Sequence, residues 1–172
     1  MNAPLYRFFA DDHRRLDALL ERATARPGKY EMEAYAQFRT GLLRHIKMEE
    51  TILLPMAQKA RGGEPLPIAA KIRLDHGAIT ALMAPSPSPM IIAALRKILA
   101  DHDALEESPG GLYEACEQLT GDEVETLLEK ARRTPEVPVH PHNDKPFVLE
   151  VTRRALARAG YNLDDFDTGD QK

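Results

Sequence analysis

The sequence predicts an all-α protein: an antiparallel, up-down-up-down four-helix bundle with a helical C-terminal extension. Three observations lead to this fold class. Ala, Leu, Glu and Arg outnumber the β-branched residues and Trp is absent, a composition that favours helices. Apolar residues recur at helical spacing in four successive segments before residue 109. Short connections rich in proline or glycine separate the segments, which is typical of antiparallel neighbours.

The four predicted helices each end at such a connection. They span about Leu5–Ala25, Glu31–Arg61, Pro65–Ala84 and Met90–Glu107. Pro55 stands inside the second helix, and a proline there removes a backbone hydrogen bond and crowds the preceding turn. We therefore expect a kink or a break at that point.

Charge divides the chain into a core unit, residues 1–108, and an extension, residues 109–172. The core holds 15 Lys and Arg against 14 Asp and Glu, whereas the extension holds 8 against 13. We interpret this shift as one roughly neutral bundle followed by an acidic extension, not as two unrelated domains.

The extension is predicted to add about two helices. Thr120-Gly121-Asp122-Glu123 has the pattern of a capping box, which predicts a helix from there to about Arg133, and Leu112–Leu119 favours a turn or two before it. A last helix is predicted over Lys145–Ala159, with Gly160 as its stop. Its apolar stripe consists of Phe147, Val148, Val151, Ala155 and Ala159. We expect the acidic end to lie against the bundle or a second copy, and the stripe predicts a homodimer.

Composition also excludes several classes of protein. The formal net charge of −4 argues against a nucleic-acid partner. The single cysteine, Cys116, excludes a disulfide framework, a zinc ribbon and a cysteine-bound iron–sulfur cluster; it is expected to be a packing residue. No long uncharged apolar run is present, so we expect a cytoplasmic protein without a membrane partner.

Histidines mark the candidate site, since each predicted helix carries one well inside its ends. They are His13, His45, His76 and His102. Apolar residues stand three, four or seven positions from each of them, as Ile72 and Ile79 do for His76. All four imidazoles are therefore predicted to face the interior, where unpaired polar groups are costly.

Two of these histidines have a glutamate one helical turn later. The pairs are His45-x-x-x-Glu49 and His102-x-x-x-Glu106, and residues at i and i+4 share a helix face. Four imidazoles and two inward carboxylates form a donor set for two cations. The alternative is a set of hydrogen-bonded core histidines without metal. His140 and His142 form either a second metal site or an exposed loop, and the loop is favoured.

Other helical-bundle chemistries are excluded by spacing. Ferritin-like di-iron proteins use Glu-x-x-His, and no histidine here has a glutamate three residues before it. The zinc-protease motif His-Glu-x-x-His is absent. No cysteine–histidine pairing for haem attachment is present, and no set of catalytic residues is recognised.

The ordered set of four histidines and two glutamates resembles the hemerythrin-like HHE cation-binding domain family over residues 5–108. The resemblance implies a four-helix bundle around a non-haem di-iron centre. It implies that His13, His45, His76 and His102 are terminal ligands. It also implies that Glu49 and Glu106 bridge two irons that share an oxo or hydroxo group. Which two histidines share an iron is left open.

One departure from that family narrows the expected function. Oxygen-carrying hemerythrins have a fifth histidine one turn from the third-helix histidine, where this chain has Thr80, and a carboxylate five residues after the last histidine rather than four. We therefore expect a metal-binding protein that binds or senses oxygen, nitric oxide or iron, not a reversible oxygen carrier. The alternative is a structural or interaction bundle whose iron or zinc only stabilises the fold.

Several neighbours of the predicted ligands are open to a supporting role. An aspartate directly precedes three of the predicted ligand histidines, at Asp12, Asp75 and Asp101. Each aspartate lies about 100° round the helix from its histidine. This placement favours a position at the rim between helices over a hydrogen bond to the far side of a ligand ring. Tyr6 lies on the same helix face as His13. The favoured interpretation is an aromatic residue of the core or of its rim.

Overall fold

The computed structural model describes residues 3–167, and they confirm the all-helical class. The helices are α1 Pro4–Ala23, α2 Met32–Met48, α3 Leu54–Ala60, α4 Ala69–Leu82, α5 Pro89–Glu107, α6 Leu112–Thr120, α7 Val124–Arg132 and α8 Pro146–Ala159. A π-helical turn over Glu49–Leu53 joins α2 to α3, and 3-10 turns cover Gly121–Glu123 and Leu163–Phe166. Residues 3–167 contain no β-strand, only an isolated bridge between Arg26 and Lys29. None of their helices combines the length and the apolar character needed to cross a bilayer.

Local sequence signals set several helix ends. Prolines occupy the first turn of α1, α5 and α8, where the missing N–H has no helical partner to lose. The Ser88 side chain caps α5 by accepting a hydrogen bond from the Ile91 N–H at 3.3 Å. Gly160 ends α8 as predicted, with a φ of 93° that favours glycine.

The predicted capping box at Thr120 is wrong. Thr120 is the last residue of α6, and its hydroxyl donates to the Cys116 carbonyl at 2.5 Å. The side chain is thus bonded back into its own helix instead of accepting from the next one. Gly121 turns the chain at a φ of 56°, and α7 begins at Val124.

Two apolar clusters form the core. The first cluster contains buried residues of α1, α2, α4, α5 and α8, and the second contains buried residues of α1, the end of α2, α3, α4, α6 and α7. The extension contributes Leu156 and Leu163 to the first cluster, and Tyr113 and Cys116 to the second. Cys116 is fully buried, which confirms it as a packing residue.

The apolar stripe of α8 is divided between the core and the surface. Val148, Ala155 and Ala159 are buried, whereas Phe147 and Val151 are 59% and 54% exposed. Homodimer formation through this face stays a prediction, and solution mass by light scattering tests it. The chain after α8 packs on the bundle through Leu163, while the acidic end at 168–172 lies outside the described residues.

Arg44 joins the bundle to the extension. Its guanidinium on α2 donates to the carbonyls of Ala131 and Thr134 at 2.9 and 2.8 Å, at the C-terminal end of α7. An arginine at that position stabilises the last carbonyls of a helix by hydrogen bonding and by its charge. We expect Arg44→Ala to lower the free energy of unfolding by about 1.5–3 kcal/mol, measured by denaturant titration. Arg133→Ala is the control, since Arg133 is 82% exposed; equal losses in the two variants would contradict the assignment.

Candidate metal centre

The six predicted ligands converge in the interior, each from the helix that the sequence assigns to it. His13 comes from α1, His45 from α2, His76 from α4 and His102 from α5. All four histidines are at most 5% exposed, and Glu49 and Glu106 are fully buried. The six side chains lie where residues of the first cluster give way to residues of the second along each helix.

The histidines form two pairs, which the sequence alone left open. The rings of His13 and His45 have centroids 4.5 Å apart, and those of His76 and His102 are 4.8 Å apart. Each pair groups with both glutamates, with donor atoms within 4.8 Å of one another. Residues 3–167 therefore contain two potential cation sites that share two carboxylates.

Each glutamate divides its oxygens between the two pairs. Glu49 places Oε1 3.2 Å from His45 Nε2 and Oε2 3.1 Å from His76 Nε2. Glu106 places Oε2 3.4 Å from His13 Nε2 and Oε1 3.2 Å from His102 Nε2. This is the arrangement in which a carboxylate bridges two metal ions.

The irregularity predicted at Pro55 is a π-turn rather than a break. The Leu54 N–H donates to the Glu49 carbonyl, five residues back, so the turn is widened just before the proline. π-turns inside helices are often found at functional sites. Here the widened turn carries two consecutive glutamates that reach His76: Glu49 faces its Nε2 at 3.1 Å and Glu50 its Nδ1 at 2.7 Å.

Carboxylates behind the ligands orient the imidazoles. The Nδ1 atoms of the four histidines face, in order, Glu107 at 2.7 Å, Asp12 at 2.9 Å, Glu50 at 2.7 Å and Asp75 at 3.8 Å. In the three closer pairs the carboxylate accepts from Nδ1–H, which leaves Nε2 as the ring atom that faces the shared glutamates. Such carboxylate–histidine pairs fix the tautomer of metal ligands and raise their basicity.

Asp12 provides a test of this supporting role. We expect Asp12→Ala to weaken metal binding by about 10–100-fold, because His45 would lose the partner that fixes its ring. Asp101→Ala is a matched control, since Asp101 also precedes a ligand histidine but accepts from Lys97 and from the Tyr161 hydroxyl. Metal affinity, measured by competition with a chelator, should be unchanged in the control; equal weakening in both variants would remove Asp12 from this role.

The six groups perturb one another strongly. Burial acts to lower the pKa of His45, but the charge of Glu49 and the hydrogen bond to Asp12 raise it to about 10. His76 is similarly buried, and its carboxylate partners raise its pKa to about 9. Burial and the charge of Glu49 raise the pKa of Glu106 to about 8. Without a cation, the cluster therefore retains protons that a metal ion would displace.

Two buried atoms of the cluster have no hydrogen-bond partner. They are Glu106 Oε1 and His102 Nδ1. Buried polar atoms are nearly always satisfied, and Glu106 Oε1 is directed at the His76 and His102 group. A cation in that group would satisfy the carboxylate oxygen, so the donor set fits a bound metal.

The sequence analysis missed Tyr113, which is part of the site. It lies on α6, is fully buried, and its hydroxyl hydrogen-bonds with His13, His45, Glu49 and Glu106. No spacing pattern links it to the motifs. Glu50 and Glu107 were also missed, although a signal was available, because both motifs read His-x-x-x-Glu-Glu.

The remaining candidate residues lie outside the two donor groups. Tyr6 donates from its hydroxyl to the Glu107 carbonyl at 2.9 Å, a contact at the edge of the site. Thr80 is exposed and takes no part in it. His140 is exposed. His142 hydrogen-bonds through Nε2 to the Arg39 guanidinium at 3.4 Å and through Nδ1 to the Pro85 carbonyl at 2.9 Å. In the described part of the chain, these two histidines belong to neither metal-binding group, so the loop interpretation fits.

Comparison of the chain with protein-family models, curated proteins and solved structures finds no match.

Proposed function

We propose that the chain is a hemerythrin-like non-haem di-iron protein that binds or senses a small ligand such as oxygen or nitric oxide, or iron itself. Its protein ligands are the four histidines together with Glu49 and Glu106. The observation that carries the proposal is the division of both carboxylates between two histidine pairs. One cation would need only one oxygen from each glutamate, whereas here both oxygens of each face a histidine pair.

The order of buried residues along the helices supports an antiparallel, up-down-up-down bundle. α1 passes from Phe9 of the second cluster through His13 to Leu16 of the first, and α4 passes in the same sense. α2 passes from Leu42 of the first cluster through His45 to Met48 of the second. The order therefore reverses from α1 to α2 and again from α2 to α4, as the proposed topology requires.

The donor set favours a metal that accepts imidazole and carboxylate together. Iron and zinc both do so, and the resemblance to the HHE family favours iron. When bound, an iron pair supplies a centre that exchanges electrons and takes up a diatomic ligand. The protein's own contribution is to hold the donors in fixed positions and to exclude bulk water from them.

A narrow cavity beside the centre supports a small, weakly polar ligand. It reaches His13, His45 and His102, and its other walls are mostly apolar. These walls are formed by Leu16, Phe38, Leu42, Ile46 and Leu99, with Asp17 and Asp103. The volume of this space is about 10 Å³, which is room for about one molecule of the size of water and none for a larger metabolite.

Metal analysis and the visible spectrum test the proposal. Protein purified from iron-replete cells is expected to contain two irons per chain and to absorb in the near-ultraviolet and visible range, as an oxo-bridged di-ferric centre does. Addition of nitric oxide to the reduced protein is expected to change that spectrum. Zinc is spectroscopically silent, so a colourless protein with bound zinc would favour the structural alternative. A protein with one metal per chain would refute the paired site.

A further inference from the structure

The hydroxyl oxygen of a tyrosine lies among the atoms of one of the two donor groups. The hydroxyl oxygen of Tyr113 is 3.0 Å from His13 Nε2, 3.1 Å from His45 Nε2, 2.6 Å from Glu49 Oε1 and 3.0 Å from Glu106 Oε2. These four atoms belong to the group that the metal of His13 and His45 would use. The oxygen is thus close to every donor of one site.

We propose that Tyr113 is a fifth protein ligand, bound as a phenolate to the metal held by His13 and His45. Two donors that bind one metal at about 2.1 Å and at right angles are about 3.0 Å apart. The four distances from the Tyr113 oxygen have this size. The inference rests on the proposed function, because it needs a metal at the shared carboxylates.

All four neighbours of the Tyr113 oxygen are atoms that can bind a cation. The Nδ1 atoms of His13 and His45 face carboxylates, so their Nε2 atoms are the ones turned toward the phenol oxygen. Tyr113 has one proton to donate, and its shortest contact is with Glu49. A cation among them satisfies all five donors, and the phenol proton is released to solvent on binding.

The fold holds the ring in this position. Tyr113 is fully buried and contacts the ring of Phe9, with centroids 5.3 Å apart, and the edge of Tyr6 at 6.0 Å. Gly111 permits α6 to start immediately after α5, because a Cβ there would lie 2.6 Å from the Glu106 carbonyl oxygen. This tight connection returns the chain over the bridging glutamate.

Tyr113 makes the two metal sites unequal. The other donors are distributed evenly, with two histidines and two shared carboxylate oxygens in each group. Over residues 3–167, no tyrosine hydroxyl hydrogen-bonds to His76 or His102. The metal at His76 and His102 therefore has fewer protein ligands and more positions for solvent or an external molecule.

Resonance Raman and absorption spectra of the iron-loaded full chain test the phenolate. Excitation in a phenolate-to-iron charge-transfer band should enhance tyrosinate vibrations in the unaltered protein. Tyr113→Phe should lose both the band and the vibrations, while the helical content by circular dichroism is retained. Tyr6→Phe is the matched control and should keep both, because the Tyr6 hydroxyl donates to a backbone carbonyl. Addition of zinc to metal-free protein should give the ultraviolet difference band of tyrosinate only where Tyr113 is present.

The outcomes separate this inference from the proposed function. Two irons per chain without tyrosinate vibrations would overturn the Tyr113 ligand and leave the di-iron site standing. Vibrations that persist in Tyr113→Phe would also overturn it, since another tyrosine would be responsible. Failure of the unaltered protein to bind any metal would overturn both. If Tyr113→Phe does not fold, the spectra of the unaltered protein and of Tyr6→Phe still decide the question.

Discussion

Replacing Glu106 by alanine is expected to remove at least one metal ion per chain. It should also lower the free energy of unfolding of the metal-loaded protein by several kcal/mol. Glu106 joins His13 to His102 through its two oxygens, so its loss removes a negative charge and a bridge together. Glu49→Ala should behave in the same way, because Glu49 joins His45 to His76. Metal content and the thermal midpoint of each variant measure the effect.

The metal-free proteins distinguish a metal bridge from a structural carboxylate. Without a cation, the Glu106 carboxyl is buried beside Glu49, and burial together with that charge raises its pKa to about 8. Its removal should then cost little stability. A loss of the same size with and without metal would instead mean that the carboxyl serves the fold alone.

The tail histidines supply the control for both glutamate variants. His140 is exposed, so His140→Ala should keep the metals and the thermal midpoint. His142→Ala should keep the metals but lose the contacts with Arg39 and the Pro85 carbonyl. Loss of metal from either variant would show that the site has been assigned to the wrong part of the molecule.

The all-helical fold and the convergence of the six predicted ligands were predictable because both depend on local spacing. Helical periodicity showed which face of each segment is buried, and a glutamate four residues after a histidine must share its face. Breakers such as Pro27-Gly28 and Gly62-Gly63 bounded the helices to within a few residues. The pairing of the histidines was not predictable, because it depends on which helices are neighbours in space.

A longer repeat in the sequence was overlooked and is explained by the site. Residues 12–50 and 75–107 each contain Asp-His followed by His-x-x-x-Glu-Glu. In both repeats the aspartate faces the histidine of the following motif, as Asp12 does for His45. The second glutamate faces the leading histidine of the other repeat, as Glu50 does for His76. The rim positions favoured for the aspartates were wrong for Asp75, which is 1% exposed and faces His102. Asp12 is only partly buried, but its carboxylate reaches the buried ring of His45 on the next helix.

Tyr113 lay beyond sequence reasoning for a physical reason. It is 100 residues from His13 and 68 from His45, on a short helix whose apolar face looks like ordinary packing. A buried tyrosine needs a partner for its hydroxyl, but the sequence does not say which one. The error at Thr120 is of the same kind, because only the structure shows that its hydroxyl is bonded to the Cys116 carbonyl.

The pH dependence of stability is expected to differ between metal-free and metal-loaded protein. The pKa values of His45 and His76 are raised to about 10 and about 9, and that of Glu106 to about 8. For each group the folded chain binds more protons than the unfolded chain between its ordinary pKa and the raised one. The stabilisation is complete below the ordinary value and is lost as the pH rises through the raised one. Metal-free protein should therefore lose stability steadily from about pH 5 to about pH 9.

Bound metal should weaken or reverse that slope. The metal binds imidazoles and carboxylates in their unprotonated forms, so protons compete with it less as the pH rises. The difference between the thermal midpoints of metal-loaded and chelator-treated protein should consequently widen from about pH 5 to about pH 9. Glu106→Gln should flatten the decline of the metal-free protein below about pH 8, where Glu106 contributes, whereas His140→Ala should leave both curves unchanged. A metal-free protein that gains stability over this range would show that the buried histidines and Glu106 do not hold these protons, and that the charges of the cluster are balanced in another way.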